Sequence, residues 1–396
     1  MENMMIKKNI LYKFAIFILF AFIISIGSYW LYLKLPTGLD IALSSPLTDE
    51  TLSTTSYKSI NINNDPYASS TYRPDDPLYK PVLAIQQKRW SEAIDMLKPM
   101  AEQGNSTAMF WLGDITYSAN AFSDGGKWFV RAAELGNPYA ALRLSPSLSF
   151  GHDCDRWLKA YCDSKWDDIG LKGLLKLAHD GDTKAAYAYL YVTRFKNTSS
   201  EFYSDLVDLV KTGMDKNYYP PLRYLVNLYL SRESLSPFDN DPLPLSDNEK
   251  KVIFNSLMVA AKNNDVLSMK LINDDFKGFF DSDFDDLIDQ SQLLLDGNNF
   301  LIAFDYFIRG RSNTKSNRDF LIRGYSVANL FDYYIKDFNQ RGEYKGIFEY
   351  MLMDSNIKPM SEEEKSQGMI MTRNLIGHST PVIFIDEVTG ISPLFH

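Results

Sequence analysis

The sequence contains few of the residues that most catalytic sites use. Only four histidines and two cysteines occur among 396 residues, and no histidine has the H-E-x-x-H spacing of a metal-binding helix. A glycine-rich phosphate loop is absent, and Gly377-His378-Ser379 lacks the flanking G-x-S-x-G pattern of a hydrolase nucleophile. We therefore expect no catalytic residue, no cofactor-binding residue and no metal site, and we predict that the protein is not an enzyme.

Positive charge is also scarce. Lysine and arginine total 41 against 50 aspartate and glutamate residues, which gives a formal net charge of -9. An acidic chain repels nucleic-acid phosphates, and the sequence has no basic patch interleaved with aromatic residues, so nucleic acid is excluded as a partner. The hydrophobic fraction of 45% excludes disorder throughout, and the length predicts several domains or an elongated array.

Residues 14–33 form an uncharged, apolar segment near the N-terminus. A helix of about 20 such residues spans the hydrocarbon core of a bilayer. Lysines are concentrated on its N-terminal side, at Lys7, Lys8 and Lys13 before the segment and Lys34 after it. The positive-inside rule then leaves 1–13 in the cytoplasm of a bacterium and places the bulk of the chain in the periplasm. A cleaved signal peptide is the alternative, although its apolar region is usually shorter.

Residues 35–80 are rich in Ser, Thr, Asn, Asp and Pro and show no helical periodicity. Such a composition cannot bury a core, so we expect a flexible linker between the anchor and the folded part.

A helical pattern begins at residue 81. Apolar residues recur at helical spacing, and the pattern is interrupted by helix-ending signals at intervals of roughly 30–50 residues, the range of helix-pair solenoids. These signals are Gly104-Asn105, Gly136-Asn137, Gly181-Asp182, Gly213 and Asn263-Asn264. One helix pair cannot bury its apolar stripe alone, so the units must stack.

The unit at 106–137 carries the most specific pattern. Its small residues allow neighbouring helices to approach closely, while larger apolar residues fill the remaining space. The residues that shape this repeat are Ala108, Leu112, Gly113, Tyr117, Trp128, Ala132, Ala133 and Gly136. Their spacing resembles a Sel-1-like repeat, a relative of the tetratricopeptide repeat, and partial copies cover roughly 88–265. The resemblance implies a right-handed α/α solenoid used for protein–protein contacts, with no catalytic residues to assign.

Cys154 and Cys162 are eight positions apart. In an oxidising compartment a close pair of cysteines predicts a disulfide. A metal pair with His152 or two free thiols are the alternatives, and the other ligands of a tetrahedral zinc site are not visible in the sequence.

The C-terminal region, 266–396, continues with diverged helical patterns beyond the repeat domain at 81–265. Ser361 and Glu364 have the spacing of a capping box at the start of a helix. The tail at 381–390, PVIFIDEVTG, predicts a short β-strand with a turn. A single strand needs support, so it must pack on the helices or pair with a partner.

One acidic run in this region has partial calcium-loop spacing, at Asp281, Asp283 and Asp285. Asp286 and Gln292 stand where such a loop needs glycine and glutamate. We therefore interpret the run as the acidic start of a helix.

These features predict a protein anchored in the inner membrane whose helical repeats bind a protein partner in the periplasm. Within that class we favour an immunity or inhibitor protein that protects the cell against a secreted effector, a toxin that acts on the envelope. A structural adaptor in an envelope or polysaccharide assembly complex is one alternative. An enzyme acting on envelope material is the second, because acid–base geometry is not visible in a sequence.

Overall fold

The computed structural model describes residues 47, 65–118, 122–148, 154, 158–193, 200–231, 245–276, 306–311, 315–334, 343–378 and 381–390. The predicted membrane anchor at 14–33, the cytoplasmic segment at 1–13 and the acidic run at 281–285 lie outside these residues. No helix within the described part of the chain is both long and apolar enough to cross a membrane.

The described residues fold into α-helices and contain no β-strand. In chain order the helices are α1 (Tyr79–Gln86), α2 (Trp90–Glu102), α3 (Ser106–Ser118), α4 (Phe122–Glu134), α5 (Pro138–Arg143), α6 (Lys165–His179), α7 (Thr183–Thr193), α8 (Ser200–Asp215), α9 (Pro220–Ser231), α10 (Asp247–Lys262), α11 (Val266–Asp275), α12 (Lys315–Tyr334), α13 (Glu343–Asp354) and α14 (Glu362–His378). A 3₁₀ turn covers Lys159–Tyr161, and residues 306–309 are helical as well.

Helices α1 to α11 pack mainly on their neighbours in the chain. Such packing is typical of a solenoid, in which each unit contacts the units before and after it. In the C-terminal region α12 packs against both α13 and α14. The predicted all-helical repeat architecture is therefore confirmed.

The same backbone motif ends α2, α4, α6, α8 and α10. A residue with a left-handed backbone conformation follows each of these helices, and these residues are Gly104, Gly136, Gly181, Asn217 and Asn264. The amide of the next residue donates in each case to the carbonyl five positions earlier, at 2.8–3.1 Å. This hydrogen bond satisfies a carbonyl at the end of the helix that would otherwise lack a partner.

The residue after the left-handed position also starts the next helix in most units. An Asn or Asp side chain at this position accepts a hydrogen bond from the backbone amide three positions later. The amides of Ala108, Ala140, Ala185 and Ser268 donate in this way to Asn105, Asn137, Asp182 and Asp265, respectively, at 2.9–3.0 Å. Such caps stabilise the first turn of a helix. One dipeptide therefore ends one helix and begins the next. Because the motif recurs after every second helix, it divides the array into the consecutive pairs α1–α2, α3–α4, α5–α6, α7–α8 and α9–α10.

Gly213 was expected to end a helix, and this prediction is wrong. Helix α8 continues to Asp215, and Asn217 takes the left-handed conformation instead. A Cβ atom on Gly213 would lie 2.4 Å from the carbonyl oxygen of Tyr218. The glycine is needed because the next turn approaches the helix closely. A sequence shows the glycine but does not show whether a left-handed backbone conformation or a close approach requires it.

The residues predicted to shape the repeat lie in α3, in α4 and in the turn after α4. Ala108, Leu112, Ala132 and Ala133 are buried. The remaining positions are Gly113, whose added Cβ would lie 2.7 Å from the Phe129 ring, Gly136 with φ +87, Trp128 under the Arg131 guanidinium, and Tyr117 within α3. Close approach of the two helices thus depends on the small residues.

The predicted disulfide between Cys154 and Cys162 is confirmed, with Cα atoms 5.8 Å apart. The bond replaces the two alternatives, a metal pair with His152 and two free thiols. The predicted capping box is confirmed too, because the Ser361 amide donates to Glu364 at 2.7 Å and the Glu364 amide donates to Ser361 at 3.2 Å.

The predicted β tail is wrong, since 381–386 have no regular secondary structure and 387–390 form a turn. A strand requires a ladder of backbone hydrogen bonds, whereas this segment bonds largely to side chains. The predicted flexible linker at 35–80 is also wrong in its last part. Residues 70–72 are hydrogen-bonded to the tail, and Tyr72 is buried.

Candidate binding groove

Residues 381–390, which we call the docked segment, lie against the first helices of successive pairs. The segment is hydrogen-bonded to side chains from α1, from α7 and from the turn before α9. At its far end, a Cβ added to Gly390 would lie 3.0 Å from Arg143 of α5 and 4.0 Å from Asp114 of α3. We call this surface, together with residues 70–72, the inner groove.

Gln86 holds the backbone of the docked segment from one side. Its Nε2 donates to the carbonyl of Val382 at 2.9 Å, and its Oε1 accepts from the amides of Phe384 at 2.9 Å and Ile385 at 3.4 Å. The Gln86 side chain is buried at the end of α1. One amide side chain therefore satisfies both donors and acceptors of an extended backbone, as a neighbouring strand would.

Residues 70–72 hold the same backbone from the opposite side. The Thr71 amide donates to the Ile383 carbonyl at 2.9 Å, and its hydroxyl donates to the Ile385 carbonyl at 2.7 Å. The Ile383 amide donates to the Ser70 hydroxyl at 3.0 Å. Because these bonds involve the backbone of the segment, they do not depend on which side chains it carries.

The apolar side chains of the docked segment are part of the main hydrophobic core. Val382, Ile383 and Ile385 are at most 1% exposed, and Phe384 and Val388 are nearly as buried. Burial of such residues is the main source of free energy for docking.

Glu387 carries one of the two buried carboxylates of the docked segment. Its Oε2 accepts from Lys184 Nζ at 2.5 Å and its Oε1 accepts from the Tyr72 hydroxyl at 2.5 Å. The Tyr72 oxygen in turn accepts from Trp111 Nε1 at 3.0 Å. The carboxylate is therefore paired with a charge and hydrogen-bonded, as a buried charge must be.

Asp386 carries the second carboxylate and shapes the turn. Its Oδ2 accepts from the Tyr218 hydroxyl at 3.0 Å, while its Oδ1 accepts from the amides of Val388 at 2.9 Å and Thr389 at 2.7 Å. The Gly390 amide closes the turn on the Asp386 carbonyl at 2.8 Å. Asp386 thus orients the backbone so that Glu387 lies beside Lys184.

Electrostatics favour one protonation state for Glu387, Lys184, Tyr72 and Tyr218 near neutral pH. Burial alone would raise the pKa of Glu387, but the attraction of Lys184 outweighs it and the pKa is lowered. Burial alone would lower the pKa of Lys184, but Glu387 and Asp386 raise it overall. Burial, reinforced by the carboxylates, raises the pKa of Tyr72 and Tyr218 well above the ordinary value. Both phenols therefore remain hydrogen-bond donors.

A second concavity lies between α7 and α8, where Asp205 and Asp208 line an open cleft. Burial, followed by Glu201 and Asp208, raises the pKa of Asp205. Both aspartates come from one helix face, and the described lining contains no other titratable side chain except Tyr189. Among the described residues, no group of three or more His, Cys, Asp or Glu could hold a metal ion. The inner groove is the more specific site.

The residues of the inner groove were not identified from the sequence. The sequence analysis singles out neither Gln86 nor Lys184, and Tyr72 lies in the predicted linker. The available signal was the tail, because five apolar residues around an Asp-Glu pair must be buried somewhere. The predicted repeat residues around α3 and α4 do not form the groove, except that Trp111 of the same helix contacts Tyr72.

Comparisons with known proteins leave the family unassigned. Neither the models of known protein families nor the curated proteins contain a match to this chain. Among solved structures, the chain is similar to a protective antigen present in uropathogenic Escherichia coli strains that displays an SLR fold, with 12% identity and a TM-score of 0.30. The match covers 72% of this chain and 64% of that one.

Proposed function

We propose that this chain is a protein-binding helical-repeat protein whose inner groove binds an extended segment of its partner. The observation that supports this proposal is that Gln86 and Thr71 both donate hydrogen bonds to backbone carbonyls of the docked segment, from opposite sides. Backbone hydrogen bonds of this kind give affinity for any extended chain, and flanking pockets add specificity.

We also propose that the repeats are Sel-1-like and that 14–33 anchor the protein in a bacterial inner membrane with the repeats in the periplasm. The repeat assignment rests on the spacing of small residues in α3 and α4. The anchor rests on an uncharged segment flanked by an excess of lysines on one side. The disulfide is consistent with an oxidising compartment.

Within this function, the partner that we propose is a secreted toxin directed at the envelope, which the protein inhibits as an immunity factor. An acidic binding protein held at the membrane surface would intercept such a toxin. An adaptor role in an envelope or polysaccharide assembly complex is the alternative, and the two differ in their genetic neighbourhood. A secreted effector encoded nearby favours immunity, and synthesis genes nearby favour the adaptor.

Photo-crosslinking in intact cells tests the binding surface. A photo-crosslinking amino acid replaces Tyr67, which contacts Tyr79 beside the groove, or Leu135, which is 57% exposed after the second helix of a pair. We expect the partner to be crosslinked from position 67 and not from position 135. Equal crosslinking from both positions would contradict the inner groove as the binding surface.

A growth test addresses the immunity role. The gene is deleted, and the deletion strain grows beside a toxin-competent sibling. We expect poisoning of the deletion strain and rescue by the intact gene. Normal growth of the deletion strain would exclude immunity and leave the adaptor role.

A further inference from the structure

The docked segment has the position of a ligand on the helical array. We propose that residues 381–390 are an internal ligand of the inner groove, and that the partner segment that displaces them shares their chemistry: branched apolar residues in an extended run, followed by two adjacent carboxylates. This inference rests on the proposed function of the groove and names the partner segment that it fits.

The first argument is topological. Helices α1 to α11 pack on their sequence neighbours, so an added element would be expected to pack on the last helix. The docked segment instead follows α14 and returns to α1, and its hydrogen bonds to Tyr79, Gln86 and Thr71 join residues 296 to 314 positions apart. It crosses several repeat units along one surface, as a bound peptide does.

The second argument concerns how the segment is held. Its carbonyls at Pro381, Val382 and Ile383 accept from Tyr79, Gln86 and Thr71, and these bonds form with any extended backbone that reaches the groove. The segment adds no strand or helix of its own. A second chain can therefore make the same hydrogen bonds without any rearrangement of the helices.

The third argument concerns charge. If the docked segment leaves, Lys184 loses the carboxylate of Glu387, and Tyr72 and Tyr218 lose their acceptors. The neighbouring Arg143 is already paired with Asp114 at 2.7 Å, so Lys184 is the cation that selects the occupant. A displacing segment must supply carboxylates at the same two positions, because the Lys184 side chain is only 24% exposed and a largely buried cation without a partner is costly.

The covalent connection sets how strongly the docked segment competes. A tethered ligand has an effective concentration in the millimolar range for a short linker. A free segment of equal intrinsic affinity is therefore excluded at ordinary concentrations, and weakening the docked segment should expose the groove.

Peptide exchange tests the inference with the full-length protein in detergent. The probe is a fluorescently labelled peptide with the sequence of residues 380–391, and binding is followed by anisotropy. The Glu387→Gln substitution weakens the docked segment but leaves the groove intact. We expect the peptide to bind this variant about tenfold or more tightly than the wild type, since the peptide restores the charge pair with Lys184. Glu349→Gln, which alters a half-exposed pair with Lys365, is the matched control and should bind as the wild type does.

A second peptide, with glutamine in place of the glutamate, tests the charge selection. This peptide should bind the Glu387→Gln variant no more tightly than it binds the wild type. Thr389→Ala provides a second weakened segment in case Glu387→Gln does not fold, because it removes turn hydrogen bonds to Asp386 and leaves the groove unchanged. It should shift affinity in the same direction by a smaller factor.

Two results would overturn the inference. Absence of saturable binding to a folded variant would show that the groove accepts no ligand in trans, and equal binding of the two peptides would remove the carboxylate selection. Failure of peptide exchange together with crosslinking of a partner from position 67 would leave the proposed function standing. Peptide exchange without any crosslinked partner would support the inference and leave the proposed function without support.

Discussion

The helical array and the docked segment are both buried, but different interactions hold them in place. In the array each helix contacts its sequence neighbours, and the same left-handed turn and Asn or Asp cap recur between units. The docked segment has no regular secondary structure, and its hydrogen-bond partners lie 168 to 315 positions away in the chain. Stability is thus spread over many local interactions in the array and concentrated in a few side chains at the groove.

The largest effect is expected at the charge pair of the groove. Lys184→Met leaves the buried carboxylate of Glu387 without its cation and should lower the free energy of unfolding by about 4 kcal/mol. Adding Glu387→Gln should recover part of this loss, since the carboxylate that had lost its cation is then removed. Denaturant unfolding of the single and double variants measures the coupling.

A lysine in the array provides the matched control. Lys172 forms an exposed pair with Asp168, in which both side chains are 76% exposed. Lys172→Met should change stability by less than about 1 kcal/mol. Equal losses from Lys172→Met and Lys184→Met would show that the two regions do not differ in the way described.

The next effect concerns apolar burial in the docked segment. Ile383 is fully buried, and Ile383→Ala should cost about 3 kcal/mol through lost burial and a residual cavity. Ile370 on α14 is 50% exposed, and Ile370→Ala should change stability by less than about 0.5 kcal/mol. A loss at position 383 as small as that at 370 would mean that the segment contributes little to the folded state.

Glycine substitutions probe the repeated motif of the array. Gly136 has a φ of +87, and Gly136→Ala should destabilise the protein by about 1 kcal/mol because a Cβ atom disfavours this conformation. Gly346 lies inside α13 with open space around it, so Gly346→Ala should stabilise by about 0.5 kcal/mol. Thermal unfolding should therefore show shifts of opposite sign, and shifts of the same sign would argue against the capping account.

The smallest effect is expected from acid titration at the start of α14. Arg318 hydrogen-bonds to Glu364 and lowers the pKa of that carboxyl from 4.5 to about 2. A lowered pKa contributes stability that is fully present above the ordinary value and is lost as the pH falls towards the folded value. The difference in unfolding free energy between the wild type and Glu364→Gln should thus shrink between pH 4.5 and about 2. A difference that is constant across this window would contradict the assignment to Arg318.

How much the sequence predicts follows the same division between the two regions. The turns at Gly104, Gly136 and Gly181 and the cap at Ser361 are determined by adjacent residues, so their patterns were recognisable. The prediction for Gly213 was wrong because a close approach of Tyr218 requires glycine at this position. Sequence spacing does not reveal such a contact.

The groove was beyond prediction for a physical reason. Gln86 and Phe384 form one hydrogen bond across 298 positions, and nothing in the local sequence of either residue specifies the other. The tail, in which the apolar run Val382 to Ile385 precedes a turn, was predicted to be a strand. The tail was also predicted to pack on the helices or pair with a partner, and the structure shows the first of these.

Hydrogen exchange at the amides of Phe384 and Ile385 tests the central claim that the docked segment is a separable ligand of the array. Both amides donate to Gln86, so their exchange reports on release of the segment. We predict that they exchange through an opening of lower free energy than the core amides of α3, and that Glu387→Gln accelerates exchange in the segment but not in α3. Exchange of both regions with one common free energy, lowered equally by Glu387→Gln, would show that the segment is an inseparable part of the core and would contradict the account.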